Sequence, residues 1–182
     1  MLDSIILAIN TKSIPLTQGK YAIVDADNYE WLMQWKWSYR DGYAKRSVHI
    51  PMAAGLRKQV PITMHGVILP PCNGLVPDHI NGNGLDNRRE NLRLATQQQN
   101  MWNRKPVKNS SSKYKGVSWR KSTGYWIANI KLDGKQKHLG CFWSEEDAAR
   151  AYNKAAKEMH GEFAKLNDVE DGLCLTKLPP RW

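Results

Sequence analysis

Residues 76–93 have the sequence Val-Pro-Asp-His-Ile-Asn-Gly-Asn-Gly-Leu-Asp-Asn-Arg-Arg-Glu-Asn-Leu-Arg, a short apolar strand that runs into a polar loop. Asp78 and His79 end the strand, and Asn91 and Asn100 follow further along the chain. Neighbouring strand residues point to opposite sides, so one can hold a metal while the other faces a substrate. Carboxylate and amide oxygens suit Mg²⁺ or Mn²⁺, and a neutral histidine can accept a proton near pH 7.

Taken singly, each of these four residues has an ordinary structural explanation. An Asp-His pair before a loop rich in Gly and Asn is common turn chemistry, and Asn91 could simply cap a helix. The four residues together, close to a strongly basic segment, favour a chemical site instead.

The positive charge of the chain is concentrated in one segment. The 182 residues carry a formal net charge of +10. Residues 104–138 hold ten Lys or Arg against one acid, Asp133, which gives +9 for this segment alone. A scattered excess would indicate only a solvated surface, but a concentrated one predicts a polyanionic partner, most simply DNA or RNA.

The cysteines and the N-terminus exclude several classes of protein. The three cysteines, Cys72, Cys141 and Cys174, form no CxxC pair, so we expect neither a structural zinc site nor a disulfide framework. The apolar segment of residues 1–9 is too short to span a bilayer, and we predict that it is a first strand. We expect no membrane association and no small-molecule cofactor.

Composition divides the chain into two modules of an α+β protein. We predict a first module over residues 1–105, a basic Ser-rich linker over 106–113, a second module over 114–167 and a tail over 168–182. In the first module, patterning predicts the following elements. They are a strand at 21–24, a helix at 27–37, a strand at 75–80 and short helices at 89–94 and 96–103.

The second module has the pattern of three strands followed by one helix. Strands are predicted at 114–120, 125–132 and 135–142, with Asp133-Gly134 as a hairpin turn. Ser144 is the expected N-cap of the helix, and Gly161 its end. The helix should cover the sheet face that carries Trp126, Ala128, Ile130 and Leu132.

The quoted segment resembles the signature of the HNH homing endonucleases, and the similarity covers roughly residues 15–105. The resemblance implies a ββα-metal module, in which two short antiparallel strands and a helix enclose one divalent cation. It implies that Asp78 and Asn100 are metal ligands and that His79 is the general base. Asn91 would hold the loop and His79 in place. A histidine is the alternative to Asn100 within this family.

The first module contains further candidate residues, His65 and three arginines. His65 matches a helix that precedes the motif in the family, but Gly66 replaces the arginine that often follows, so we assign His65 a structural role. Arg88, Arg89 and Arg93 flank the site and are candidates for binding backbone phosphates, although exposed arginines on helices often have no such role.

The second module resembles the plant apetala/ethylene-response-factor DNA-binding domain. The likeness rests on the segments Tyr114–Val117, Trp126–Ile130, His138–Phe142 and Ala148–Tyr152. The resemblance implies a three-stranded antiparallel sheet that enters the major groove, with a helix packed behind it. By position, the residues that would face DNA are Lys115, Ser118, Arg120, Asn129, Lys131, Gln136 and His138.

The sequence therefore predicts a metal-dependent endonuclease that hydrolyses phosphodiester bonds in double-stranded DNA, acting as a monomer or a dimer. The resemblance implies a homing endonuclease of phage or mobile-element origin that works in a host cytoplasm. One alternative is a DNA-binding regulator without catalytic activity. The other is a ribonuclease or RNA-binding protein that uses the same basic surface.

Overall fold

The computed structural model describes residues 10–53, 56–106 and 110–170. Within these ranges, four α-helices and ten β-strands form a mixed α+β structure, as predicted. The chain divides into two compact units, Met1–Gln97 and Gln98–Trp182. The strand predicted at residues 1–9 lies outside the described residues. In the described parts of the chain, no helix has the length and apolar character needed to cross a membrane.

The first unit contains three small antiparallel sheets. Strands β1 (Thr11–Pro15) and β2 (Tyr21–Asp25) form a hairpin that leads into helix α1 (Ala26–Leu32). A three-stranded sheet follows, in the order β3 (Ser38–Arg40), β4 (Tyr43–Pro51) and β5 (Arg57–Thr63). After helix α2 (Met64–Ile68), strands β6 (Val76–His79) and β7 (Leu92–Ala95) pair with each other, and helix α3 (Gln97–Asn103) begins.

Helix α1 is shorter than the predicted helix at 27–37, and a tryptophan explains where it ends. The indole Nε1 of Trp37 donates to the carbonyl oxygen of Leu32 at 2.8 Å, so it satisfies an acceptor at the helix end. Residues 33–37 leave the helix and return Trp37 to the core beside Val24 and Met64. Burial of that large ring favours the turn over about one and a half further turns of helix.

The helix predicted at 89–94 is wrong, because this stretch contributes a strand to the β6–β7 pair. Only a short 3-10 turn occupies Arg89–Asn91, and β7 follows it directly. Leu92 lies opposite His79, and Ala95 lies opposite Val76. Both Leu92 and Ala95 are buried. The helix predicted at 96–103 is confirmed as α3.

The second unit is a three-stranded antiparallel sheet and one long helix. Its strands are β8 (Val117–Arg120), β9 (Tyr125–Leu132) and β10 (Lys135–Phe142), with β9 in the centre. The predicted strand at 114–120 starts later, since Gly116 has a φ of +75° and interrupts the extended backbone. Asp133 and Gly134 both have positive φ, as the predicted two-residue hairpin requires.

Helix α4 (Glu145–His160) covers one face of this sheet. The hydroxyl of Ser144 accepts from the backbone N–H groups of Glu146 and Asp147, which confirms the predicted N-cap. The core of the unit pairs small residues of the helix with Ala128, Ile130 and Phe142 of the sheet.

Part of the predicted linker is folded onto the second unit. The hydroxyl of Ser112 donates to Glu145 Oε1 at 2.6 Å and accepts from the backbone N–H of Tyr114. Ser111 accepts from the backbone N–H of Trp119 at 3.0 Å. These side-chain hydrogen bonds order the end of the segment 106–113, while residues 107–109 lie outside the described ranges.

Two glycines of the second unit provide a matched stability test. Gly116 and Gly124 have φ values of +75° and +69°, so alanine at either position is expected to cost about 1–3 kcal/mol in backbone strain. At Gly116 a Cβ would also overlap the buried ring of Tyr152, whereas nothing lies within 4 Å of a Cβ at Gly124. Thermal unfolding should therefore show that Gly116→Ala loses about 1–3 kcal/mol more of the free energy of unfolding than Gly124→Ala does. Equal losses would contradict the packing of Gly116 on Tyr152.

Candidate functional site

The β6–β7 pair places Asp78 and His79 side by side at the end of β6. Asp78 lies opposite Arg93, and its Oδ2 accepts from the Arg93 Nε at 3.1 Å. Both Asp78 and His79 are only 5% exposed. Burial of a carboxylate and an imidazole side by side at a strand end is unusual, because both groups lose their hydration there.

The loop from β6 to β7 is held together by amide side chains. Asn91 Nδ2 donates to the backbone oxygen of Asp86 at 2.7 Å and to Asn81 Oδ1 at 3.1 Å. Asn91 Oδ1 accepts from the backbone N–H of Asn81 at 3.0 Å. Asn91 thus connects the two ends of the loop, as expected of a residue that is predicted to hold the loop in place.

Backbone hydrogen bonds attach the same loop to β2. The N–H of Ile23 donates to the carbonyl of Leu85, and the N–H of Asn87 donates to the carbonyl of Ile23, both at 2.8 Å. The backbone N–H of Arg89 also donates to Asp25 Oδ2 at 2.8 Å. The loop is therefore held by the β1–β2 hairpin, and the position of Asn87 follows from it.

Asn87 is a hydrogen-bond partner of His79. Its Oδ1 lies 3.3 Å from His79 Nε2, and its side chain is fully buried. With the amide oxygen facing the ring, Nε2 carries the proton and donates it, which leaves the lone pair on Nδ1. The arrangement presents Nδ1 of His79 as the basic nitrogen.

Two aromatic residues line the other sides of the His79 ring. His65 makes an edge-to-face contact with His79 at a centroid distance of 4.7 Å, and Tyr43 lies at 5.5 Å from His65 and 5.8 Å from His79. The Tyr43 ring also packs so closely on Gly84 that a Cβ there would overlap it. His65, Tyr43 and Gly84 form a wall around the base.

Burial keeps both imidazoles neutral near pH 7. It lowers the pKa of His79, although the hydrogen bond that His79 donates to Asn87 and the charge of Asp78 partly oppose it. Burial, with smaller contributions from His79 and Lys45, lowers the pKa of His65 to about 4. A neutral His79 can accept a proton, whereas its charged form could not.

Two of the arginines predicted to hold phosphates, Arg88 and Arg93, form ion pairs within the fold. Arg88 Nε donates to Asp86 Oδ1 at 2.7 Å, and another guanidinium nitrogen donates to Glu90 at 2.5 Å. Arg93 pairs with Asp78, as described above. Their predicted contacts with DNA stay a prediction, and each guanidinium already neutralises a carboxylate of the site.

The predicted ligand Asn100 lies on α3, within the second unit. That helix is tied to the rest of the unit at its end. The ring of Trp102 stacks on His160 at 4.2 Å, and Lys115 Nζ donates to the carbonyls of Trp102 and Arg104, the latter at 2.7 Å. Lys115 was predicted to face DNA. In the structure its ammonium group caps the C-terminal end of α3.

The register of the second unit brings the six other predicted DNA-facing residues onto one face of the sheet. The cross-strand pairs put Asn129 opposite His138 and Lys131 opposite Gln136, and directly opposed residues share a face. Ser118 and Arg120 pair with Ile127 and Tyr125, which alternate with Asn129 onto this same face. The helix-covered face carries Ala128 and Ile130. The six residues are thus co-facial, on the side away from α4.

Sequence reasoning missed two of the residues that contact His79 and underrated a third. Asn87 lies inside the quoted motif, eight residues after His79, and a buried-polar role could have been assigned to it. Tyr43 gave no local signal, since its contact with His79 depends on how β4 packs. His65 was assigned a structural role, yet its ring touches the candidate base.

Comparison with known proteins supports the family resemblance. The family profile described as HNH endonuclease matches residues 63–102. An uncharacterized HNH endonuclease of Acanthamoeba polyphaga mimivirus is 33% identical over 160 residues, which cover 84% of this chain and 78% of the viral protein. Protein 3.8 of Escherichia phage T7 is 37% identical over 99 residues, which cover 52% of this chain and 81% of the phage protein.

A second, partial similarity points to plant proteins. An AP2-like ethylene-responsive transcription factor of Arabidopsis thaliana is 41% identical over 66 residues, which cover 36% of this chain and 14% of the plant protein. No solved structure matches this chain significantly. The plant similarity therefore concerns a module, and the viral similarity extends over most of the chain.

Proposed function

The chain belongs to the HNH endonuclease family, and from that membership we propose that it hydrolyses phosphodiester bonds in double-stranded DNA with His79 as the general base. The observation that carries the proposal is the environment of His79. Asn87 Oδ1 accepts a hydrogen bond from Nε2–H, so Nδ1 is the basic nitrogen, and burial keeps the ring neutral. A water activated by His79 Nδ1 would attack the phosphorus atom.

The donor atoms of the proposed metal site fit a hard divalent cation. The Asp78 carboxylate is buried at the end of β6, and the amide oxygen of Asn100 is the second proposed ligand. In the described ranges, no three His, Cys, Asp or Glu side chains come together as they would in a cage built wholly from protein. The proposed cations, Mg²⁺ or Mn²⁺, commonly keep several waters and bind substrate phosphate. When bound, the cation supplies positive charge to the leaving oxygen.

The proposed ligands, general base and positioning residues have separate roles. Asp78 and Asn100 bind the cation, His79 moves the proton, and Asn87 sets which ring nitrogen is basic. Asn91 keeps the loop closed, so that Asn87 stays against His79. Zinc has no structural role in this scheme, since no Cys pair exists to hold it.

The second unit supplies DNA recognition in this proposal. Its co-facial residues, Arg120, Asn129, Lys131, Gln136 and His138 among them, present cations and hydrogen-bonding groups of the kind that bind phosphates and read bases in the major groove. The phage and mimivirus relatives support the further proposal that the protein is a homing-type endonuclease acting in a host cytoplasm.

Incubation with supercoiled plasmid tests the activity directly. Nicked or linear DNA should accumulate with Mg²⁺ or Mn²⁺ and should not with EDTA. Structured RNA of equal length serves as the control substrate and should survive intact. Binding to duplex DNA without any cleavage across a range of metals would instead favour the non-catalytic regulator.

Metal titration separates the ligands from the loop residue. Asp78→Ala and Asn100→Ala should each raise the Mg²⁺ or Mn²⁺ concentration at half-maximal cleavage by about tenfold or more, since each removes a direct oxygen ligand. Asn91→Ala should lower the rate with little change in that midpoint, because Asn91 bonds only to the loop. An unchanged midpoint for Asp78→Ala would remove Asp78 from the ligand set.

A further inference from the structure

The three-stranded sheet of the first unit has two faces of opposite character. Strand register places Arg40 opposite Tyr43, Ser38 opposite Lys45 and Arg57 opposite Pro51, so these side chains share one face. The other face carries Ala44, which is buried in the core, and Arg46, which stacks on Trp35 at 4.2 Å. The part of this face around Ala44 and Arg46 thus packs against the core.

The face that carries Arg40 and Arg57 is polar and cationic. Arg40, His49, Arg57 and Gln59 are exposed on it, and Lys45 and Ser47 are partly buried. The strands β3, β4 and β5 contain no Asp or Glu at all. The acid nearest in sequence, Asp41, lies in the turn between β3 and β4, where it pairs with Lys45 at 2.9 Å. A surface of this composition complements a polyanion.

This face is continuous with the candidate active site. Tyr43 belongs to the face, and its ring contacts both His65 and His79. From Tyr43 to Pro51 the strand extends about 27 Å, at about 3.4 Å per residue. The face therefore starts at the general base and runs past several successive phosphates of a bound duplex, which repeat about every 3.4 Å of helix axis on each strand.

We propose that this face, defined by Arg40, Tyr43, Lys45, His49, Arg57 and Gln59, binds the backbone of duplex DNA beside the bond that is cut. The proposal rests on the proposed nuclease function and adds a second DNA-contacting surface to that of the second unit. Its role is to fix the scissile strand against His79. The opposing possibility is an exposed sheet face that is merely solvated.

A charge-matched pair of variants of the full chain tests the proposal. The face variant combines Arg40→Gln, Lys45→Gln and Arg57→Gln. The control combines Lys20→Gln, Lys36→Gln and Lys58→Gln. These three lysines are exposed in the same unit, and Lys58 lies on the opposite face of the same sheet. Binding to a duplex is measured against salt concentration in EDTA, so that cleavage plays no part in the result.

The face variant should lose about 2.7 from the slope of log affinity against log salt, at about 0.9 per lost phosphate contact, while the control should keep the parental slope. Equal slopes for the two triple variants would overturn the proposal and leave the nuclease assignment untouched. Gln59→Lys, which adds a cation to the face and removes none, should steepen the slope by about 0.9. A Gln59→Lys slope equal to that of the parent would also count against the face.

Discussion

His79→Ala should lower the single-turnover rate of DNA cleavage by about 10²–10⁴-fold and leave the affinity for duplex DNA nearly unchanged. The rate falls because the variant lacks the proposed acceptor for the proton of the attacking water. The affinity stays because His79 is 5% exposed, enclosed by His65 and Tyr43, and contributes little surface to the DNA. Quenched-flow rates and gel-shift affinities, measured on the same preparations, give the two quantities separately.

Chemical rescue distinguishes a lost base from a collapsed site. Removing the His79 ring leaves a cavity beside Asn87, so added imidazole should restore part of the rate of His79→Ala. The same concentration of imidazole should do nothing for Asp78→Ala, which lacks a metal ligand and keeps its base. A His79→Ala protein that cleaves at the parental rate would exclude His79 from the mechanism.

Local features of the chain could be predicted from sequence because their causes are local. The Asp133-Gly134 turn and the Ser144 cap depend on residues within a few positions of each other, and both are present. The family resemblance implies that Asn91 holds the loop, and Asn91 forms hydrogen bonds with Asn81 and Asp86 within that loop.

Features that depend on packing between distant segments could not be predicted in the same way. The stretch at 89–94 has apolar residues only at Leu92 and Leu94, too few to fix a period, and its pairing with β6 makes it part of a strand. Tyr43 reaches His79 across more than thirty residues of sequence. Helix α1 ends early because Trp37 returns to bond with Leu32. Each case is a tertiary contact that overrides local preference.

The placement of α3 changes how the two modules can be separated. Lys115 donates to carbonyls at the end of this helix, and burial lowers its pKa to about 8. A C-terminal fragment that begins at Ser110 would remove those acceptors and expose the ring of His160 that stacks on Trp102. The C-terminal fragment should therefore begin at Gln97, and the nuclease fragment should still extend to Lys105 to retain Asn100.

With these boundaries, the fragment 97–182 should bind duplex DNA without cutting it, and the fragment 1–105 should cut slowly and with poor choice of site. The slow rate has two sources. Fragment 1–105 loses the basic segment and the groove-facing sheet residues, and its α3 loses the hold of Lys115 on the helix that carries Asn100. Fragment 1–105 should therefore need higher concentrations of both metal and DNA for half-maximal cleavage.

The salt dependence of binding gives the size of the effect. Residues 104–138 carry +9 of the chain's +10, so most phosphate contacts should leave with the second unit. If about five contacts are lost, the slope of log affinity against log salt should fall by about 4.5. A difference of about 4.5 in this slope corresponds to about a 500-fold difference in how much affinity is lost between 50 and 200 mM salt. A fragment 1–105 that matched the full chain in affinity, slope and cleavage site would show that the second unit does not read the DNA.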